Sequence, residues 1–356
     1  MAPTDLTRSG PGAGPGGVPA AIGLTPILSA RYATGELARI REAAPGSRLV
    51  AISLEGLADG PLDDVEVILR GPLPAGVFDR LLARCPRLRW VHSATAGVER
   101  VLTPSALARG LLITNARGVF SRPIAEYVML MVLAVSRRLP QLLELQRERT
   151  WQPLPGVELR DVTIGIVGLG SIGQAVASLA TAFGCRVIAT RRGTSGAAAG
   201  APTGDDEADR LVPPPHIDLV LPPEGLPQLL AESDFVVLAL PLTPDTADLL
   251  DARALARLKP GAWIINVARG GLIDERALVR ALREGPLGGA VLDAFRDEPL
   301  PPDSPLYGLP NCIVTPHTSW SSGRVLVRSV ELFCDNLRRY RAGEPLRNVV
   351  DPAVGY

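Results

Sequence analysis

The 356-residue chain has little of what several protein classes require. Its four cysteines, Cys85, Cys185, Cys312 and Cys334, stand far apart, with no CxxC and no metal-ligand spacing. That excludes a disulfide framework, points to no bound metal and fits a reducing cytosol. Net charge is lacking too: Lys plus Arg (37) equals Asp plus Glu (37), so no global field draws the chain to nucleic acid or an anionic membrane. The longest apolar run, "IAEYVMLMVLAV" (124–135), is too short to span a bilayer and carries Glu126. It reads as a buried helix that could also lie under a subunit interface. Histidine occurs only three times, which shortens any search for proton-transfer chemistry.

What is present is an alternation of short apolar strands and amphipathic segments. One series runs through "RLVAISL" (48–54), "VEVIL" (65–69), "LRWVHSA" (88–94) and "LLIT" (111–114). A second begins at "VTIGIVGLG" (162–170) and passes through "RVIAT", "DFVVLAL" (234–240), "AWIINVA" (262–268) and "GGAVLDA" (288–294) to "CIVTP" (312–316). Such alternation predicts parallel α/β layers. The C-terminal "GRVLVRSVELFCDNLRRYRAG" (323–343) has helical spacing. The fold class expected is therefore α/β with two doubly wound parallel sheets, Rossmann-like or flavodoxin-like. Residues 20–120 with 321–356 form one domain, and 121–320 form a dinucleotide-binding domain inserted before the last helix. Residues 1–19, rich in Gly and Pro, are expected to be a disordered tail. "VPAAIGLTPILSA" is too broken by Pro and Gly to serve as a secretory leader. The stretch 193–215 reads as a surface insertion.

"GLGSIG" (168–173) follows an apolar strand and opens a helical segment, the context in which G-x-G-x-x-G carries meaning. Gly168 permits the tight turn, Gly170 lets a pyrophosphate approach the backbone, and Gly173 allows close helix–strand packing. The N–H groups of Ser171 and Ile172 then face the phosphates. The next strand ends in Arg191 and Arg192, where an acid commonly holds the adenine ribose. Two permanently charged guanidinium groups favour a 2′-phosphate, hence NADP(H) over NAD(H). The bland alternative is a pair of solvated charges at a strand end.

A nicotinamide enzyme needs a proton donor and a substrate anchor. His216 falls in the insertion-like "PPPHIDL", and His92, within a strand, reads as a packed or capping residue. His317, in "VTPHTSW", follows an apolar strand at the edge where open α/β sheets bind ligands. A carboxylate beside it would stabilise the imidazolium, and "FRDEPLPPDSPL" offers Asp297 and Glu298. Arg269, in "INVARGG", follows another strand and can clamp a carboxylate at two points.

These motifs together resemble the D-isomer-specific 2-hydroxyacid dehydrogenases, over about residues 47 to 350. The resemblance rests on "GIVGLGSIG", "LPLTPDT" (240–246), "INVARGGLIDERAL" (264–278), "LDAFRDEPLP" (292–301) and "TPH" (315–317), in family order. Within the family the chain resembles the glyoxylate/hydroxypyruvate reductases. The resemblance implies Arg269 as substrate anchor, Glu298 as partner of His317, and His317 as acid/base. It puts Asp293 against the nicotinamide carboxamide with Ala268 nearby, and Pro241 and Thr246 on the adenosine side. Main-chain N–H groups of Ala96 and Gly97 would receive the substrate carboxylate. The active site would lie in a cleft between two doubly wound domains, with a homodimer supported by the 121–139 helix. Three departures stand out: Glu99 for a usual Asp, the two arginines for a usual acid, and Trp320 where a small residue is common.

The reading is a cytoplasmic NAD(P)-dependent oxidoreductase that interconverts small 2-oxo acids and D-2-hydroxy acids by hydride transfer. No nucleic acid or membrane partner is expected. Two rivals share the fold: a dinucleotide-sensing, corepressor-like scaffold, and a dehydrogenase of another small anion such as formate or phosphite.

Overall fold

The computed structural model describes residues 16–27, 32, 34–74, 76–192 and 216–352. The insertion at 193–215 and all but the end of the expected tail lie outside the described residues. The chain divides into two compact units, one of Met1–Val119 with Ser322–Tyr356 and one of Phe120–Ser321.

The first unit carries β1 (Ala21–Leu24), α1 (Thr34–Ala43), β2 (Arg48–Ala51), β3 (Val65–Arg70), α2 (Val77–Arg84), β4 (Trp90–Ser93), α3 (Pro104–Ala108) and β5 (Leu112–Asn115). Its five strands are all parallel, in the order β2-β1-β3-β4-β5. This is the flavodoxin-like order. The interior strand β1, between β2 and β3, comes from the stretch whose only sequence signal is that of a poor leader peptide. Four buried residues, Ala-Ile-Gly-Leu, suffice because parallel strands covered on both faces need apolar content and no alternation.

The second unit carries α4 (Ser121–Ser136), α5 (Leu139–Arg147), β6 (Thr163–Val167), α6 (Ser171–Ala182), β7 (Arg186–Thr190), β8 (Leu219–Leu221), α7 (Leu226–Glu232), β9 (Phe235–Leu238), α8 (Ala252–Leu255), β10 (Trp263–Asn266), α9 (Glu275–Glu284), β11 (Gly289–Leu292) and β12 (Cys312–Val314). The chain returns to the first unit as α10 (Val325–Ala342), which Gly343 ends at φ 69. Seven parallel strands take the order β12-β11-β10-β9-β6-β7-β8, the dinucleotide-binding arrangement extended by one strand. Chain direction across the sheet reverses between β6 and β9, so the loop after β6 sits at the topological switch point. Residues of β9 and β11 are buried throughout, and α8 and α9 begin at Asp251 and Asp274, whose carboxylates accept the N–H of Ala254 and Ala277. The short strand β8 is the apolar triplet Leu219-Val220-Leu221, only partly buried and too short to stand out as a strand in the sequence.

The apolar run 124–135 forms most of α4, which buries eight residues but leaves Glu126 and Leu130 exposed. A break at Arg138 (φ 57) separates it from α5.

Candidate active site

Six strands of the second sheet deliver their C-terminal ends to one edge, and the sheet order dictates what stands beside what. Reading across from β12, the edge presents His317, Asp293 after β11, Ala268 and Arg269 after β10, Pro241 after β9, Gly168 after β6 and Arg191 after β7. Five strand spacings separate the two ends, roughly 24 Å at the usual interstrand distance.

At the switch point Gly168 takes φ 100, and a Cβ there would fall 2.7 Å from the Ala239 carbonyl oxygen. A Cβ on Gly173 would fall 2.2 Å from the Gly168 oxygen, so helix α6 can approach its strand only with glycine there. Gly170 differs: its added Cβ would meet nothing within 4 Å. Open space therefore lies over the start of α6. No side chain caps that helix, and the N–H groups of Ser171 and Ile172 donate to no acceptor among the described residues. Uncapped N–H groups and the positive end of a 12-residue helix suit a pyrophosphate, so these residues fit the dinucleotide the fold implies. Beyond β7, the N–H of Arg191 donates to the Leu221 carbonyl at 2.9 Å, and its side chain is half-buried while Arg192 is exposed. The "PLTP" turn is closed by Thr246, whose hydroxyl donates to the Pro241 carbonyl at 2.8 Å and accepts the Thr243 N–H at 2.7 Å.

His317 Nδ1 lies 2.9 Å from Glu298 Oε2 and 3.1 Å from Oε1, with each side chain 38% exposed. A carboxylate only accepts, so Nδ1 carries the hydrogen and Nε2 is left for a reactant. Glu298 is itself oriented by the Phe295 N–H, which donates to Oε1 at 2.9 Å. Asp297, the other carboxylate the sequence offered, is exposed. The His317 backbone is left-handed at φ 49, a conformation that costs a non-glycine residue about 1–2 kcal/mol. The turn is held from two sides. Trp320 donates its indole N–H to the His317 carbonyl at 2.7 Å, so this tryptophan is tied to the histidine's own backbone. Asp293, only 1% exposed, accepts the Thr315 hydroxyl at 2.6 Å and the N–H groups of Thr318 and Ser319 at 2.8 Å.

Arg269 is set by a residue that sequence reading passed over. Asn266, fully buried, accepts the Ala268 N–H at 3.0 Å through Oδ1 and donates to the Arg269 carbonyl at 2.9 Å through Nδ2. An asparagine ending a strand just before a loop was the available signal. The next residue, Gly270, brings the turn against the Glu298 loop: a Cβ there would lie 1.9 Å from the Phe295 carbonyl carbon. The Arg269 turn and the loop bearing Glu298 are thus in backbone contact.

Ala96, Gly97 and His92 belong to the first unit, and His216 to the second. After β4, the carbonyls of Ala96 and Gly97 accept from Asn115 Nδ2 (2.9 Å) and Thr95 Oγ1 (2.8 Å). Their N–H groups donate to no acceptor among the described residues, as an anion site requires. His92 is fully buried beside Trp90 and Phe333, with Nδ1 2.7 Å from Thr114 Oγ1, and burial pushes its pKa down to about 3. It is a core residue. His216 is exposed and faces Asp218 at 3.5 Å.

The family model for the D-isomer specific 2-hydroxyacid dehydrogenase, NAD binding domain, matches residues 129–319. A glyoxylate reductase of Korarchaeum cryptofilum is 33% identical over 328 residues, covering 90% of each chain. A D-3-phosphoglycerate dehydrogenase of Mycobacterium bovis is 39% identical over 277 residues, 77% of this chain and 49% of that enzyme, so this chain spans about half its length. Among solved structures, a D-isomer specific 2-hydroxyacid dehydrogenase of Xanthobacter autotrophicus in complex with NADPH and MES superposes with a TM-score of 0.79 at 31% identity, over 95% of this chain and all (100%) of the other. An NADPH-dependent glyoxylate/hydroxypyruvate reductase of Sinorhizobium meliloti, in complex with NADP and sulfate, gives 0.77 at 29% identity, over 94% and 100%. The chain belongs to the D-isomer specific 2-hydroxyacid dehydrogenase family. It is an NAD(P)-dependent oxidoreductase interconverting 2-oxo acids and D-2-hydroxy acids, and neither the scaffold reading nor the formate or phosphite reading is supported. No helix among the described residues is long and apolar enough to cross a membrane.

Proposed function

We propose that the protein is an NADPH-preferring reductase of small 2-oxo acids such as glyoxylate and hydroxypyruvate. The observation that carries the reading is the His317–Glu298 pair on the same sheet edge as the open, uncapped start of α6. When bound, the dinucleotide supplies the hydride. His317 Nε2 gives its proton to the substrate carbonyl oxygen, and Glu298 on Nδ1 stabilises the imidazolium until that transfer. Arg269 clamps the substrate carboxylate, the role that the family resemblance implies for it. Asp293 shapes the histidine turn and keeps lone-pair capacity on Oδ2 for the nicotinamide carboxamide, near Ala268. The glycines Gly168, Gly170 and Gly173 with Ser171 and Ile172 receive the pyrophosphate, and Pro241 and Thr246 flank the adenosine.

Arg191 and Arg192 would read the 2′-phosphate of NADP(H). Arg191 follows β7 at the same sheet edge as the open start of α6, which supports a role for its charge toward a ligand. The test is reduction of glyoxylate and hydroxypyruvate with NADPH and NADH side by side, followed by nicotinamide absorbance. Turnover should be faster with NADPH at low cofactor. The Arg191→Ala/Arg192→Ala double variant should raise the NADPH KM about 10- to 100-fold and leave NADH use unchanged. Equal use of both cofactors by the wild type would make these arginines solvated charges.

A homodimer is part of this proposal. Leu130 on α4, Leu139, Leu142 and Leu143 on α5, and the fully exposed Trp151 expose apolar surface of the kind subunit contacts cover. A cytoplasmic setting agrees with four free cysteines. Sedimentation of the wild type and Trp151→Ser tests the dimer: a monomeric wild type would overturn it.

A further inference from the structure

Tyr127, on α4, is remote in sequence from every catalytic and cofactor-binding residue assigned above. Its hydroxyl lies 2.6 Å from Thr315 Oγ1, and that oxygen lies 2.6 Å from Asp293 Oδ1. Hydrogen directions follow from chemistry. The Asp293 carboxylate can only accept, so Thr315 turns its single O–H toward Asp293. The lone pairs left on Thr315 then receive the Tyr127 O–H. The chain therefore runs Tyr127 to Thr315 to Asp293, and successive hydrogen bonds of this kind polarise and reinforce one another. Burial pushes the Tyr127 phenol up to about 12, so it remains a donor throughout the neutral range.

What this chain braces is the catalytic turn. Thr315 precedes His317 by two residues, while Thr318 and Ser319, whose N–H groups also end on Asp293, follow it directly. One buried carboxylate thus straps both sides of a histidine held at φ 49. Two of those straps are backbone amides, which substitution leaves in place. The third is a side-chain hydroxyl that could rotate away, and Tyr127 supplies the second hydrogen bond that fixes it.

We propose that Tyr127 is a positioning residue for His317, holding Thr315 against Asp293 and so fixing the turn that presents the imidazole. This rests on the reductase reading above. A tyrosine that merely filled space would lose stability on substitution but not turnover by folded enzyme. The proposal instead requires that its effect pass through the Thr315 hydroxyl.

The test is a double-mutant cycle in the full-length protein with Tyr127→Phe, Thr315→Val and the pair, assayed with glyoxylate at saturating NADPH. Tyr127→Phe should lower kcat about fivefold, the worth of one ordinary hydrogen bond, with the cofactor KM unchanged. In the Thr315→Val background it should have no further effect, whereas in Thr315→Ser, which keeps the hydroxyl, the fivefold effect should return. A readout independent of activity is the His317 imidazole C–H resonance, assigned by its loss in His317→Ala, which Tyr127→Phe should move. An unmoved resonance, or effects of Tyr127→Phe and Thr315→Val that simply multiply, would overturn the brace. Absence of turnover by the wild type would count against the reductase reading alone, since the resonance still tests the brace.

Discussion

Two histidines sit at the C-terminal side of parallel sheets, one in each unit, and they have opposite fates. His92 lies within β4, where a strand of four buried residues seals it among Trp90, Phe333 and Thr114. Its Nε2 is buried with no partner among the described residues, so charging it would be costly. His317 lies three residues past β12, beyond the last ladder hydrogen bonds, and is partly exposed with a carboxylate on one nitrogen. The same side chain is thus a buried core residue in one sheet and, in the proposed reaction, a proton carrier in the other. A shift of a few residues along a strand changes what solvates the ring, and with it the ring's chemistry.

The largest effect that could break this contrast is on turnover. His317→Ala should lower kcat about 10²- to 10⁴-fold while leaving NADPH affinity within experimental error, measured by fluorescence titration. Activity equal to wild type would remove His317 from the chemistry and the contrast with it. A loss of similar size in the isosteric core variant His92→Gln, with its fold intact by circular dichroism, would blur the distinction from the other side.

Next in size is the geometry that brings Arg269 to the Glu298 loop. Gly270→Ala puts a Cβ 1.9 Å from the Phe295 carbonyl carbon, and the overpacking should cost about 1–3 kcal/mol. Catalysis should fall at least about tenfold as the turn shifts. Gly308→Ala, where nothing lies within 4 Å, serves as the neutral control. Equal behaviour of the two variants would show that the backbone contact is dispensable.

A smaller effect sharpens the other side. The pKa of His92 falls from its ordinary value of 6.5 to about 3 on folding, because burial disfavours the imidazolium. The unfolded chain therefore binds the extra proton between these values. Stability is full above pH 6.5 and declines as pH falls toward 3, by up to about 1.4 kcal/mol per unit. Urea unfolding at pH 7 and pH 5 should show this slope in the wild type and its reduction in His92→Gln. An unchanged slope would mean that other groups govern acid stability.

Much of this was written locally. The run of β-branched residues before "GLGSIG", the glycine spacing, the arginine pair after β7 and a histidine just past an apolar strand each depend on a few adjacent residues. Local backbone sterics and strand–turn–helix chemistry make such features readable, and the fold class followed from their alternation. Strand β1 escaped because Gly23 and the flanking prolines weaken a four-residue signal that only its two parallel neighbours complete. Asn266 looked like an ordinary strand end until the Arg269 turn folded back onto it.

By itself, then, the sequence determined which residues carry charge, donate protons or permit a close backbone turn, since those are properties of single side chains and short spacings. The residues alone left Asp297 and Glu298 open as partners of His317; the family resemblance pointed to Glu298, and the tertiary structure supplies the geometry behind that choice. Asp297 and Glu298 are adjacent, chemically alike and both exposed, and the path of the loop brings Glu298 to 2.9 Å from His317 Nδ1. Only the tertiary structure decided that Asp293 straps the histidine turn and that Tyr127, 188 residues from Thr315, completes the chain of hydrogen bonds behind it. Contacts across such separations are made by sheet order and helix packing, which no short stretch of chain encodes.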